Sequence, residues 1–255
     1  LPVRTTMLDA DGNKIATLFE ENRLEVPLDQ ISPYMQKAIV AVEDQRFYEH
    51  NGVDIQGLIR AQLENTASGS VQQGASTLTM QYVRNVLVTA ARTPDLVEAA
   101  RERTNARKLQ EIRYAVQLER ELSKDEILNR YLNIVYFGSG AYGVEAASRR
   151  YCGHSAKKRK PSEAALLAGP VQSPVGYDPL INPGAATTRR DEVLMKMEQQ
   201  DFITPEQYEK AVGTPVTDML NPRKVSNGCA ASAYPFYCDY AVKTILNDPN
   251  YGKTK

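Results

Sequence analysis

At 255 residues the chain can bury one large core, or a core with a small satellite. Its 31 Lys and Arg offset its 31 Asp and Glu, so no overall basic field points to nucleic acid. No apolar run reaches the ~18 residues a spanning helix needs, and no signal peptide is visible. The start "LPVRTT", without Met, reads as a fragment that has lost an anchor or leader.

The first elements in chain order are a hairpin, "RTTML" and "KIATLF", joined by the turn-forming "DADGN". "SPYMQKAIVAVEDQRFY" reads as a helix with Ser32 as N-cap and Pro33 at the first helical position; Ile39, Val42 and Phe47 can share one face. "DIQGLIRAQLENT", capped by Asp54, is a second helix. "STLTMQYVRNVLV" is a third, preceded by the loop "ASGSVQQGA" and capped by Ser76. Thr93 and Pro94 start a long helix running to about Leu122. Ser123 with Glu126 forms a capping box for "KDEILNRYLNIVYF". "PSEAALLAG", closed by Gly169, "RRDEVLMKMEQQ" and "TPEQYEKAVG", boxed by Thr204 and Gln207, follow as helices. The Pro/Gly/Ser-rich stretch from Thr214 reads as a linker, with "FYCDYAVKTILND" as a last helix. The fold class is therefore mainly α with a short N-terminal β-hairpin, divided into a β-rich approach (1–30), a main domain (31–213) and a linker (214–255).

Four stretches could carry chemistry. Glu43 ends an apolar helix, where it opposes the helix dipole and sits at the lip of the core; a desolvated carboxylate there can serve as a general base or acid. "QQGASTLTMQYVRN" runs a Gly-containing, hydroxyl-rich loop into a helix start, which suits an anion, with Arg84 to add charge; it is not a nucleotide P-loop, because no Gly-Lys-Ser/Thr follows. Arg107, Lys108 and Glu111 share a helix face, either as a salt-bridged solvent face or as cations that grip a pyrophosphate. The basic run Arg149, Arg150, Lys157, Lys158, Arg159 and Lys160 is a candidate docking face. "SAKK" at 155–158 matches the Ser-x-x-Lys of penicillin-reactive serine enzymes without its partner elements, and reads as chance. Of the three cysteines, Cys229 and Cys238 share one loop-like stretch and Cys152 stands alone; a Cys229–Cys238 disulfide depends on export. His50 and His154 form no metal cluster.

Together and in order, these stretches resemble family 51 peptidoglycan glycosyltransferases, as found in class A (bifunctional) penicillin-binding proteins. The family's Glu-Asp-x-x-Phe-x-x-His-x-Gly stands as Glu43, Asp44, Phe47, His50 and Gly52. "GASTLTMQYVRN", Arg107-Lys108-x-x-Glu111, "SKDEILNRYLNIVYFGSGAYGVEAA" and "SEAALLAGPVQSP" are similar to its other four motifs. Ala75, Met80, Arg84 and Asn129 depart from the family's usual Gly, Gln, Lys and Glu.

The resemblance implies a lysozyme-like, two-lobed fold whose smaller lobe dips into the membrane. It implies polymerisation of lipid II on a growing glycan–undecaprenyl pyrophosphate, with inversion. Glu43 and Glu111 would be the catalytic carboxylates, Glu43 as the base. Asp44, His50, Ser76, Thr77, Gln81, Arg84, Arg107 and Lys108 would serve substrate binding, Asp44 and His50 also fixing the turn that aims Glu43. The pyrophosphate would be neutralised by the cations, with a divalent cation (magnesium or manganese) assisting; no nucleotide cofactor is implied. The expected location is the outer face of the cytoplasmic membrane, which favours the disulfide, and proteins of the division or elongation machinery are expected partners. The N-terminal and C-terminal segments are similar to those joining the domain to a membrane anchor and to a transpeptidase domain, which is absent here. A glycan-cleaving lysozyme or lytic transglycosylase, and a non-catalytic docking module, are the competing readings.

Overall fold

The computed structural model describes residues 2–59, 76–91, 93–102 and 104–251. The loop "ASGSVQQGA" and most of the helix read from "DIQGLIRAQLENT" lie outside these residues; what is described of that helix, 55–59, starts where Asp54 Oδ1 accepts the Gly57 N–H at 2.9 Å.

The fold is mainly α. Its hairpin pairs β1 (Thr5–Leu8) with β2 (Lys14–Leu18) antiparallel, Thr5 opposite Leu18. The turn closes because Asp9 Oδ1 accepts the backbone N–H groups of Asp11 and Asn13, while Gly12 takes the left-handed conformation the reversal needs (φ 82°). A second pairing, parallel, joins β3 (Asn22–Arg23) to β4 (Ala141–Tyr142). It was not legible in so short a stretch. Arg23 fixes it: the side chain is fully buried, and donates to the carbonyls of Pro2 (2.9 Å), Asn133 (3.1 Å) and Ile134 (3.4 Å). Glu21 supplies its counter-charge at 2.7 Å.

Helix α1 (Pro33–Glu43) starts at Ser32, whose Oγ accepts the Tyr34 N–H, and buries Met35, Ala38 and Ile39 in the main core. Next come α2 (Leu78–Ala90), α3 (Pro94–Arg101), α4 (Asn105–Glu121), α5 (Lys124–Ile134) and α6 (Val144–Cys152). They are followed by α7 (Pro161–Ala168), α8 (Pro183–Gln199), α9 (Pro205–Val212), α10 (Val216–Met219) and α11 (Pro235–Asn247). Both expected capping boxes, Ser123/Glu126 and Thr204/Gln207, form. The central core joins α1, α5, α6, α7 and α8 through Ile39, Leu132, Ala147, Leu167 and Leu194.

Some expectations are corrected. The long helix from Thr93 is two helices: Thr104 leaves helical geometry and its Oγ1 accepts the Arg107 N–H, because a β-branched hydroxyl residue is a better cap than helix interior. The cap of α2 is Thr77, not Ser76; its Oγ1 accepts the Met80 N–H. Gly169 does close α7, as expected, as its C-cap. It keeps right-handed helical angles and leads into a 3-10 turn, Gly169–Val171, and a Cβ there would approach Arg189 Cγ to 3.0 Å. The start of the stretch read as a linker packs on the core, which does not decide the division: Val216 and Met219 bury against Leu166 and Ala186, and the N–H groups of Asn221 and Arg223 bond to the carbonyls of Tyr151 and Arg150. Further on, the Asn227 amide pairs with both the N–H and the carbonyl of Phe19, and Gly228 donates to Thr17.

The basic run is partly woven into the fold, while Lys157, Lys158 and Lys160 stay exposed. Arg149 pairs with Glu145, and Arg159 is buried on Ser148, the His154 carbonyl and Glu163. "SAKK" is a 3-10 turn whose Ser155 Oγ caps it and donates to Glu145, a structural use. Cys229 and Cys238 are joined by a disulfide, and Cys152 is buried as a free thiol pushed up to about 11 by that burial.

Candidate active site

The site is organised by the first turn and a half of α2. Asp44, just beyond α1, is buried and accepts the Leu78 N–H at 2.9 Å; its carboxylate also meets His50 Nε2 at 2.9 Å. Thr77 Oγ1 donates to the Gly52 carbonyl at 2.7 Å while capping α2. The N–H groups of Leu78 and Met80 are therefore bonded within the protein, and this helix start is less open to an anion than its sequence suggests. Gly52 has φ 88°, and a Cβ there would lie 2.8 Å from the Ala115 carbonyl carbon, so the turn after α1 rests directly on the α4 backbone. Phe47 is fully buried, and Lys124 Nζ stands 4.6 Å from its ring centre while pairing with Glu119 at 2.7 Å.

Glu43 emerges from this frame as the last residue of α1. Its Oε2 accepts an N–H from Gln81 at 3.0 Å; its Oε1 is sealed from solvent and has no hydrogen-bond partner. Burial pushes the carboxyl above the usual carboxylate range, against the pull of the Gln81 hydrogen bond and of Arg189 and Lys196; Asp44 adds to the rise. One oxygen is thus held, and the other, sealed from solvent, carries no hydrogen bond.

One turn along α2, Arg84 reaches Glu111 on α4. Arg84 Nε meets Oε1 at 2.8 Å and its Nη2 meets Oε2 at 3.0 Å, a two-pronged contact. Arg107 also bonds Oε1 from one helical turn before it. Glu111 is fully buried, with both oxygens committed to guanidinium groups, while Arg84 is partly exposed. Lys108 points elsewhere: its Nζ donates to Ser76 Oγ at 2.6 Å, and burial lowers its proton affinity despite Glu111. Gln81 and Arg84, three residues apart on one face, span the two carboxylates.

The structure thus brings Glu43, Gln81, Arg84, Arg107 and Glu111 to one helix, with Lys108 and Ser76 at its start. Asp44, His50 and Thr77 lie behind them, bonded to each other or to backbone. Sequence reasoning missed Tyr131 of α5, fully buried, whose hydroxyl donates to Gln81 Oε1 at 2.9 Å. A Tyr on the core-facing side of a helix needs a partner for its hydroxyl, and that was the available signal. Of the departures from the family pattern, Met80 packs in a small core with Val83 and Ala115, Asn129 Oδ1 accepts from Asn133, and Ala75 lies outside the described residues.

No three carboxylate, imidazole or thiol side chains converge as metal ligands among the described residues. With both Glu111 oxygens already on guanidinium groups, the donor set does not fit a divalent cation held by side chains, and no step below passes through one.

Residues 11–198 match the family model described as transglycosylase. The chain belongs to that family. It is 39% identical over 239 residues to penicillin-binding protein 1A of Streptococcus oralis, covering 94% of this chain and 36% of that protein. It is 40% identical to penicillin-binding protein 1A of Escherichia coli (strain K12), covering 100% of this chain and 28% of that protein. Penicillin-binding protein 2D of Bacillus subtilis (strain 168) is 37% identical, with 96% and 33% covered. The chain therefore spans about a third of the length of these relatives. The crystal structure of penicillin-binding protein 1A from Haemophilus influenzae aligns over 99% of this chain and 25% of that one, at 19% identity and a TM-score of 0.49.

Proposed function

We propose that the chain polymerises lipid II into β-1,4 glycan strands. The acceptor hydroxyl gives its proton to Glu43 Oε1 as its oxygen attacks the anomeric carbon of the donor, the bond to the pyrophosphate breaks, and undecaprenyl pyrophosphate leaves with inversion. The observation that carries this is the pairing of a desolvated carboxylate, one oxygen of which has no hydrogen bond, with a guanidinium-clamped carboxylate, the two contacted by Gln81 and Arg84 one turn apart on α2. A pyrophosphate leaving group needs positive charge rather than a proton donor. Glu111 then holds Arg84 and Arg107 in place, and the exposed part of Arg84 is free to meet phosphate oxygens. Lys108 and Ser76 extend the donor end. Asp44, His50 and Thr77 position the base by holding the turn after α1 against α2.

A glycan-cleaving enzyme has no use for guanidinium groups around its second carboxylate. The test incubates the protein with lipid II and, separately, with purified glycan strands. Polymer from lipid II is expected; cleavage of strands without polymerisation sinks the proposal. Glu43→Gln is expected to lower the rate by about 10²–10⁴-fold, the usual contribution of a general base, and a Gln variant at wild-type rate removes Glu43 from that role.

The working location is the outer face of the cytoplasmic membrane. The Cys229–Cys238 disulfide favours an oxidising compartment. Ile55, Ile59, Leu96, Leu109 and Tyr114 expose apolar surface, and a groove of about 350 Å³ between α2 and α4 is lined by Val83, Val86, Leu87 and Leu118. Such a surface suits a lipid-linked substrate at a membrane. No helix among the described residues is long and apolar enough to cross one.

A further inference from the structure

We infer that Tyr131 is a positioning residue for the base: by donating its hydroxyl hydrogen to Gln81 Oε1, it helps hold the Gln81 amide so that Nε2 faces Glu43 Oε2 and Oε1 of Glu43 is left without a hydrogen-bond partner. The inference rests on Glu43 being the base, and goes further by assigning what sets its proton affinity.

The hydrogen-bond inventory leaves little freedom. A glutamine amide has a donor end and an acceptor end, and either can face a neighbour unless something distinguishes them. Here Nε2 lies 3.0 Å from a carboxylate and Oε1 lies 2.9 Å from a phenol. If the amide turned over, its oxygen would face the carboxylate and repel its ionised form. Tyr131 adds to the cost of that turn: its fully buried hydroxyl, supported on α5 by the core packing of Ile127 and Leu128, would lose Gln81 Oε1 as the acceptor of its hydrogen, and Gln81 Nε2 would lose the Ser76 carbonyl at 3.5 Å. Burial and the nearby charges of Glu43 and Asp44 push its phenol well above its ordinary value, so it stays a donor. Asn85 Nδ2 bonds to the Gln81 carbonyl at 2.8 Å and steadies the backbone of the same residue.

The other groups facing Glu43 are charged and come from other elements: Arg189 and Lys196 on α8, and Asp44 beyond its own helix. Arg84 acts on Tyr131. The Tyr131–Gln81 link is the neutral contact among them, and can be removed without changing net charge. Its loss weakens one hydrogen bond to the ionised carboxylate. That raises the proton affinity of Glu43, and the acid limb of the pH–rate profile moves to higher pH.

The experiment measures lipid II polymerisation against pH for wild type, Tyr131→Phe, Gln81→Met and the double variant, with thermal unfolding of each as a fold control. The expected result is an upward move of the acid limb by about half to one pH unit in either single variant, equivalent to weakening one hydrogen bond to an ionised group. The double variant should move no further, since both changes cut one chain of contacts. An unmoved limb in folded Tyr131→Phe overturns the inference, as does a double variant whose shift is the sum of the singles. If Tyr131→Phe does not fold, an unmoved limb in Gln81→Met overturns it instead. Glu43→Gln separates the two levels: an active Gln variant refutes the base itself, whereas an inactive one with an unmoved Tyr131→Phe limb refutes only the role of Tyr131.

Discussion

Glu43 carries a cost that can be read at the level of one residue. Its folded-state proton affinity is raised, so protonation favours the fold. The stability this represents is fully present below the ordinary carboxylate pKa and is lost as pH rises through the folded value. Ionising this carboxyl therefore costs the fold stability, a cost the proposed role as base would account for. Glu43→Gln is expected to melt at a higher temperature than wild type at pH 7, with the difference closing below the ordinary carboxylate range. Melting curves over that pH range check this, and a Gln variant less stable at neutral pH would contradict the burial argument. The sequence showed Glu43 at a helix end on the edge of an apolar face, which was enough to suspect desolvation. It could not show that Oε1 has no partner, since that depends on what α2, thirty-odd residues away, brings opposite.

At the scale of elements, the site depends on how the turn after α1 is held between α2 and α4. Gly52 is the tightest point, with both a left-handed backbone and an α4 backbone atom where a side chain would begin. Gly52→Ala is expected to cost about 2–4 kcal/mol, from backbone strain plus a contact with no flexible atom to yield. Chemical denaturation measures it, and a loss below about 0.5 kcal/mol, the level of an ordinary surface change, would show that the turn can shift at little cost. Local caps were legible because their partners are three residues apart: Ser123 with Glu126, Thr204 with Gln207. Asp44 bonding the first N–H of α2, and Arg23 on the carbonyls of α5, were not, because such partners are set by tertiary packing. The same reason explains the displaced cap at Thr77. Ser76 and Thr77 are chemically equal candidates, and their tertiary partners distinguish them: the Gly52 carbonyl bonds Thr77, and the Lys108 ammonium takes Ser76.

Over the whole molecule, both flanking segments pack against the main domain where they adjoin it. The β-rich approach is anchored through Arg23, and the Pro/Gly/Ser-rich stretch completes a small apolar cluster under α7 and α8. Met219→Ala is therefore expected to destabilise the protein by about 2 kcal/mol, the lower end for truncating a buried Met, with a lowered melting temperature as the readout. A melting temperature equal to wild type would return that segment to the status of a linker.

Asn227 grips Phe19 at N–H and carbonyl, and Gly228 bonds Thr17, so two stretches remote in sequence meet at one clasp. The clasp has a mechanical meaning. A pull applied between the hairpin and the chain beyond residue 228 is carried across these few bonds by the shortest path. The helices that hold Glu43 and Glu111 lie outside that path, so tension along the chain would open the clasp before it distorted the geometry around these two carboxylates.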